Sequence, residues 1–205
     1  MKIKYYPLNE VGTNCYFIYN ESKALIIDPS GEPEVIFEEI DNLDVEVVGI
    51  LLTHAHWDHI IALEEVKKKY DVNVYIGAEE VDWLLDPEKN LSFRAPDEIG
   101  RLSFNIMPKV LKEGQHNIKD ISFKVLRTPG HSPGSLSYLF KDFVVSGDVL
   151  FERGIGRTDL PGSNHNDLFR SIQSKLFTLP DNIIVYPGHG DPTTIGDEKR
   201  ENPFL

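Results

Sequence analysis

The chain has 205 residues, 40% of them hydrophobic and 26% charged, a composition that supports one substantial core and excludes disordered or fibrous classes. A formal charge of −12 repels phosphate backbones, so no nucleic-acid partner is expected. The start Met1-Lys2-Ile3-Lys4-Tyr5-Tyr6-Pro7 lacks an export signal, no apolar run reaches bilayer length, and the one cysteine, Cys15, cannot form an internal disulfide, which together predict a cytoplasmic protein without a membrane partner.

Ile3 to Tyr6, Asn14 to Tyr19 and Ala24 to Asp28 are predicted as strands, being rich in β-branched and aromatic residues and parted by turn residues. Cys15 is expected as core filler within the second. Pro33 suits a first helical turn, and Val35, Ile36 and Ile40 extend a helical stripe through Asp41. A strand from Val47 to Leu52 follows. Ile60, Ile61, Leu63 and Val66 predict a helix ending near Tyr70, with Lys67-Lys68-Lys69 solvating its carbonyl-rich end. Asn73 to Ile76 is the next strand, and Glu79 to Leu85 a short helix stopped by Asp86-Pro87. Leu91 to Pro96 has no periodicity and is read as a surface loop placed to overhang a site. Strands are then predicted at Ile118 to Leu126, Ser135 to Phe140 and Phe143 to Ser146, with Lys141-Asp142 as a tight turn. Leu168, Phe169, Ile172 and Leu176 give a helix over Asn166 to Thr178; Ile183 to Tyr186 is the last buried strand, and Gly196 to Arg200 starts a terminal helix. Strands followed by helices, twice over, suggest two sheets packed face to face with helices outside, while periodicity alone leaves a three-layer α/β fold open.

The chemistry concentrates in Thr53-His54-Ala55-His56-Trp57-Asp58-His59, directly after the apolar run Val47 to Leu52. Imidazole and carboxylate suit a borderline divalent ion. In extended chain His54 and His56 share one side, while Asp58 and His59 project from the turn that follows. Crowding these groups at a strand end without an ion would be unfavourable through desolvation and repulsion. His131 and His189 also sit beside Gly or Pro at strand ends, whereas His116 and His165 do not resemble ligands.

His54-Ala55-His56-Trp57-Asp58-His59, Thr128-Pro129-Gly130-His131-Ser132-Pro133-Gly134-Ser135, Ser146-Gly147-Asp148-Val149-Leu150-Phe151 and Tyr186-Pro187-Gly188-His189-Gly190 resemble, in order and spacing, the metal motifs of the metallo-β-lactamase superfamily. Gly154-Ile155-Gly156-Arg157-Thr158-Asp159 and the ending Glu201-Asn202-Pro203-Phe204-Leu205 are similar to its short, single-domain glyoxalase II-like hydrolases. The resemblance implies an α/β four-layer αββα sandwich spanning residues 1–205 as one domain, with the site at the rim between the sheets. It implies that His54, His56 and His131 hold one ion and Asp58, His59 and His189 a second, with Asp148 bridging. A carboxylate has two oxygens to span two ions, and Gly147 leaves room for a close approach. Zinc is the expected metal, with iron or manganese suited by the same ligands.

Two ions roughly 3.5–4 Å apart acidify a shared water, and the resulting hydroxide is the expected nucleophile on a small thioester. Asp58 is assigned to orient it or take its proton. Arg157 matches a basic substrate-binding position and suits a small anionic acyl-thiol, with a salt bridge to Asp159 as the competing role. Three departures narrow the resemblance. Ile60-Ile61-Ala62 replace the small residues common after the first motif, Gly190-Asp191 stand where a glutathione-contacting tyrosine is common, and no C-terminal helical domain is expected after Leu205. The hydrolytic core therefore carries over better than a glutathione site. Two other readings stand beside it: a mononuclear-iron sulfur (persulfide) dioxygenase, whose relatives share a Gly-Arg-Thr-Asp segment, and a non-catalytic metal-stabilised binding module.

Overall fold

In the computed structural model, which describes residues 1–205, two six-stranded sheets lie face to face. The first holds β1 (Lys2–Leu8), β2 (Thr13–Tyr19), β3 (Lys23–Ile27), β4 (Glu46–Leu51), β5 (Val74–Ile76) and β6 (Lys109–Val110) in chain order. Its first three strands pair antiparallel and the rest parallel, α1 (Pro33–Leu43) connecting β3 to β4 and α2 (Leu63–Tyr70) connecting β4 to β5. The second sheet is built from β7 (Gly114–Ile118), β8 (Ile121–Arg127), β9 (Leu136–Leu139) and β10 (Phe143–Gly147). A small hairpin, β11 (Leu150–Phe151) and β12 (Gly154–Ile155), then leads to β13 (Ile184–Pro187) and β14 (Thr193–Thr194), giving the sheet order β14-β13-β10-β9-β8-β7. Helices α3 (His165–Ser171) and α4 (Ile195–Glu201) complete the chain.

The strand alternation decides the layering. Along β2 and β3, Cys15, Phe17, Ala24 and Ile26 pack with Ile36, Ile40, Leu63 and Val66 of the helices, while Tyr16, Ile18, Leu25 and Ile27 turn to the opposite face. There they meet Phe123, Val125, Tyr138 and Val145 of the second sheet. Val144 and Val185 face the other way, onto Leu168, Ile172, Leu176 and Ile195. Three apolar layers between four layers of structure make the αββα sandwich, and because β2 and β3 are buried on both faces they read as continuous apolar runs. Full burial of each large side chain is worth about 1.5–3 kcal/mol.

Several elements differ from expectation. The strand predicted over Ile118 to Leu126 is β8 from Ile121 onward, while Ile118 ends β7, a strand not predicted; the two form a hairpin turned at Lys119 (φ 48°) and Asp120 (φ 73°), the two positive φ values that match a right-twisted ribbon. Asn117 Oδ1 accepts the Asp120 amide at 3.1 Å and replaces the glycine that usually signals such a turn. The helix predicted from Ile60 begins only at Leu63, since Trp57–His59 form one 3-10 turn and the Ala62 amide bonds outward to Pro29 at 3.0 Å. The segment Glu79 to Leu85 is likewise 3-10, over Ala78–Leu84. The helix of Asn166 to Thr178 changes from α to π geometry over Ile172–Leu176. Strands β6, β11, β12 and β14 have two residues each, too few to show a period. No helix is long and apolar enough to cross a membrane.

At one rim the two sheets are stitched together. The Asn14 amide donates to Gly188 O at 2.8 Å, and the Leu136 amide donates to Thr53 O at 2.8 Å. With the Gly188 amide donating to Gly147 O at 2.9 Å, these bonds bring the ends of β4, β10 and β13 to one place, with the Thr128–Ser135 connection beside them.

Candidate metal centre

All seven candidate ligands meet at that rim. His54, His56 and His131 present ligand atoms within 4.8 Å of one another, and so do Asp58, His59 and His189. Asp148 touches members of both sets: Oδ1 lies 3.4 Å from His59 Nε2, and Oδ2 lies 3.5 Å from His131 Nε2 and 3.6 Å from His189 Nε2. His189 Nε2 stands 3.2 Å from Asp58 Oδ2. Ligands about 2.0–2.1 Å from one tetrahedral ion sit about 3.3–3.4 Å apart, so these are separations around a cation.

The far nitrogens point away and are engaged. His59 Nδ1 meets Asp28 Oδ2 at 2.9 Å, His131 Nδ1 donates to Arg157 O at 2.9 Å, His189 Nδ1 donates to Val11 O at 3.3 Å, and His54 Nδ1 lies 3.1 Å from Thr53 Oγ1. A proton fixed on Nδ1 leaves the Nε2 lone pair facing the cluster. His56 is turned round: its Nδ1 faces His131 Nε2 at 2.9 Å and its ring lies against Trp83. His54 Nε2, His59 Nε2 and Asp148 Oδ1 are buried with no hydrogen-bond partner, as is the outer Nε2 of the turned His56. Three orphaned polar atoms aimed at one volume fit bound divalent cations, which neutral imidazole and carboxylate oxygen suit.

The electrostatics divide the cluster. Burial, reinforced by neighbouring imidazoles, drives His54 far below the usual histidine range and His56 down to about 3, so both are neutral ligands. Burial also opposes charge on His59, but Asp58, Asp148 and Asp28 outweigh it and hold that ring well above its ordinary value. His189 is pushed up to about 10, its burial overcome by Asp148 and Asp58. Burial would raise Asp58, yet His59 and His189 hold it at about 2.

Two buried acids that support the cluster escaped the sequence reading. Asp28, expected as the last residue of a strand, leaves the ladder at φ 52° and accepts the Thr53 amide at 2.7 Å, Thr53 Oγ1 at 2.6 Å and His59. The signal that marked Asp148, a carboxylate ending a buried apolar run, also marks Asp28 after Ala24 to Ile27. Glu80 carried no signal separating it from exposed Glu79. It is completely buried, and it ties the two ligand loops together by accepting the Ala55 amide at 2.6 Å, the Gly134 amide at 2.8 Å and the Ser132 hydroxyl.

Burial raises the Glu80 carboxyl to about 7 from 4.5, against the lowering effect of those three donors. A raised carboxyl stabilises the fold fully below about pH 4.5, and that contribution is lost as the pH climbs through 7. Relative to Glu80→Gln at matched metal content, the wild type is expected to lose roughly 3 kcal/mol across this window, since one pKa unit is about 1.4 kcal/mol. Thermal unfolding at half-unit pH steps checks it; a pH-independent gap refutes it.

Over the cluster opens a cavity of about 280 Å³, bounded by Trp57, Leu91, Arg94, Arg157 and Leu160. Arg157 is there as expected, and it also makes the competing salt bridge, two bonds of 2.9 and 2.8 Å to Asp159. Leu91 and Arg94 place the Leu91 to Pro96 segment beside the site, but it is not the irregular surface loop predicted: Leu91 and Ser92 are buried and Ser92–Arg94 form a 3-10 turn. Ile60, which replaces a small residue common after the first motif, lies away from the cavity, fully buried in the helix-side core. His116 and His165 stay outside the cluster.

Residues 8–189 match the family model described as the metallo-beta-lactamase superfamily. The chain is 43% identical over its whole length to a Bacillus subtilis protein named probable metallo-hydrolase YqgX, covering 98% of that protein. It is 38% identical to the hydroxyacylglutathione hydrolase GloC of Haemophilus influenzae, covering 100% of this chain and 98% of that one. Among solved structures, the BLEG-1 B3 metallo-beta-lactamase superposes with a TM-score of 0.94 at 40% identity, over 100% of this chain and 99% of its own. The family model spanning residues 8–189, the relatives matched over the whole chain, and a cluster of five histidines and two aspartates at the rim of a double sheet agree: the chain belongs to the metallo-beta-lactamase superfamily.

Proposed function

We propose that this metal-dependent hydrolase is binuclear and cleaves small thioesters that carry an anionic arm. The observation that carries the reading is Asp148, whose two oxygens face members of both ligand sets. His54, His56 and His131 would hold one divalent ion, Asp58, His59 and His189 the other, and Asp148 both. Such a pair, zinc first and iron or manganese by the same ligand chemistry, supplies Lewis-acid polarisation of a carbonyl and a water acidified to near neutrality.

The chain's own residues supply the rest. Asp58, ionised across the neutral range and fixed by Thr13 Oγ1 at 2.9 Å, accepts a hydrogen bond from the attacking water and orients it. At about 280 Å³ the cavity sits at the small end of ligand sites, which favours a short acyl chain. Arginines on its wall favour a negative substrate in a chain that otherwise repels one. The name of the GloC relative supports a thioester, and that of BLEG-1 brings a second candidate bond, the strained amide of a β-lactam.

Elemental analysis of natively expressed protein followed by turnover on a thioester panel and a β-lactam tests the reading. The expected result is two ions per chain and thioester kcat/KM at least about 100-fold above that for the lactam, a gap of about 2.7 kcal/mol in transition-state binding. One iron per chain with oxygen uptake would replace the reading by the dioxygenase. Full metal loading without turnover of any substrate would leave a binding module.

A further inference from the structure

We propose that Arg94 receives the anionic end of the substrate, a carboxylate, and that the segment from Asn90 to Ala95 is built to hold it over the metal centre; the proposal rests on the hydrolase reading above. Six of the seven arginines pair with a carboxylate: Arg101 with Glu88, Arg127 with Glu79, Arg153 with Glu201, Arg157 with Asp159, Arg170 with Asp167 and Arg200 with Asp197. Arg94 alone has none. Its guanidinium lies 4.9 Å from the Phe93 ring centre, and its side chain lines the cavity. In a chain with 33 acidic residues, an arginine left unpaired beside a cluster of metal ligands is available to an incoming anion. Arg157, on the same wall, is already neutralised by both oxygens of Asp159.

The backbone beneath Arg94 gives the second, independent observation. Asn90 is completely buried, and its amide donates to Trp83 O at 2.9 Å and Leu102 O at 3.0 Å while its side-chain oxygen accepts the Ser92 amide at 2.9 Å. Ser92 Oγ in turn accepts the Leu102 amide at 2.8 Å. Asn90 O accepts the Trp57 amide at 2.8 Å, so the segment is fixed directly to the residue before Asp58. Leu91, buried between these anchors, is held at φ 64°, where a branched residue without hydrogen-bonding capacity is strained. A strained leucine kept in place by a buried asparagine aims the next turn, Ser92–Arg94, at the cavity. A guanidinium fork binds a carboxylate through two parallel N–H donors, so the substrate class is a thioester whose other end carries a carboxylate.

The test uses metal-loaded protein, with metal content measured in every variant. Substrates are S-acetyl-3-mercaptopropionate and its methyl ester, which differ at the far end by the negative charge and one methyl group. For Arg94→Met the expected KM rises about 10–100-fold for the acid, the range of charge-assisted hydrogen bonds, with kcat within about threefold and the ester unaffected. Arg94→Lys restores part of the loss. Calorimetric titration with 3-(acetonylthio)propionate, in which a methylene parts sulfur from carbonyl, shows the same ratio without turnover. Equal effects of Arg94→Met on acid and ester, or none on either, overturn the proposal. A wild type that hydrolyses neither substrate sinks the hydrolase reading, and the thioether titration then judges Arg94: weaker binding in the variant supports it, and equal or undetectable binding overturns it.

Discussion

Asp148→Ala is expected to strip the protein of metal and to lower kcat/KM by about a thousandfold or more, upwards of 4 kcal/mol of transition-state stabilisation. No other carboxylate stands this close to histidines of both ligand sets. Its surroundings are shaped to admit it. A side chain at Gly188 would place Cβ 2.0 Å from Asp148 Oδ1, and one at Gly147, held at φ 56°, would meet Thr53 at 2.6 Å. Only glycine fits at Gly188 with the carboxylate where it is, and at Gly147 with Thr53 where it is.

Removing the carboxylate also removes a counter-charge on which both His59 and His189 depend. The variant is therefore expected to lose ions from both sets rather than from one. Asp148→Asn, of nearly the same shape, is expected to lose the same ions, because an amide is neutral and offers one oxygen rather than two. Elemental analysis after dialysis, with turnover on the same samples, checks both. Full activity without metal would refute the mechanism, and loss of one ion with the other unchanged would refute the bridge.

The buried strands and the ligands were legible because each rests on a strong local signal, whereas the four-layer arrangement was chosen over a three-layer fold only through the family resemblance. Strands buried on both faces, such as Tyr16 to Ile18 and Leu25 to Ile27, write themselves as apolar runs, and ligands cluster where such runs end. Short or irregular pieces were not legible. The turn at Lys119 and Asp120 uses two non-glycine residues at positive φ, steadied by Asn117, and no common turn dipeptide announces it. Glu80, within the predicted short helix, and Asn90, in the unpatterned stretch after it, look in sequence like surface residues; their burial depends on backbone donors and acceptors that tertiary folding brings up, from Ala55 and Gly134 in one case and Trp83 and Leu102 in the other. The supporting shell was thus harder to read than the ligands it supports, because its partners are main-chain groups that carry no sequence identity.

Asp28→Ala is expected to destabilise the metal-free protein by about 3–5 kcal/mol, the range for removing one partner of a buried ion pair. The residue is completely buried and its oxygens satisfy three donors at once: the Thr53 amide, the Thr53 hydroxyl and His59 Nδ1. Alanine leaves the amide without an acceptor where no water of bulk solvent reaches it, and it leaves the His59 ring without the anchor that fixes which nitrogen faces the cluster. The second consequence separates this variant from an ordinary core lesion. Loss of an outer partner of a ligating histidine weakens metal binding about 10–100-fold, so the ion assigned to Asp58, His59 and His189 is expected to be released first under chelator competition. His54 loses its support only indirectly, through the Thr53 hydroxyl, and the ion assigned to His54, His56 and His131 is expected to leave later. Thermal unfolding of the metal-free variant and stepwise chelator titration of the loaded one measure the two effects separately. A variant that melts early yet surrenders both ions together would show that Asp28 serves the fold alone.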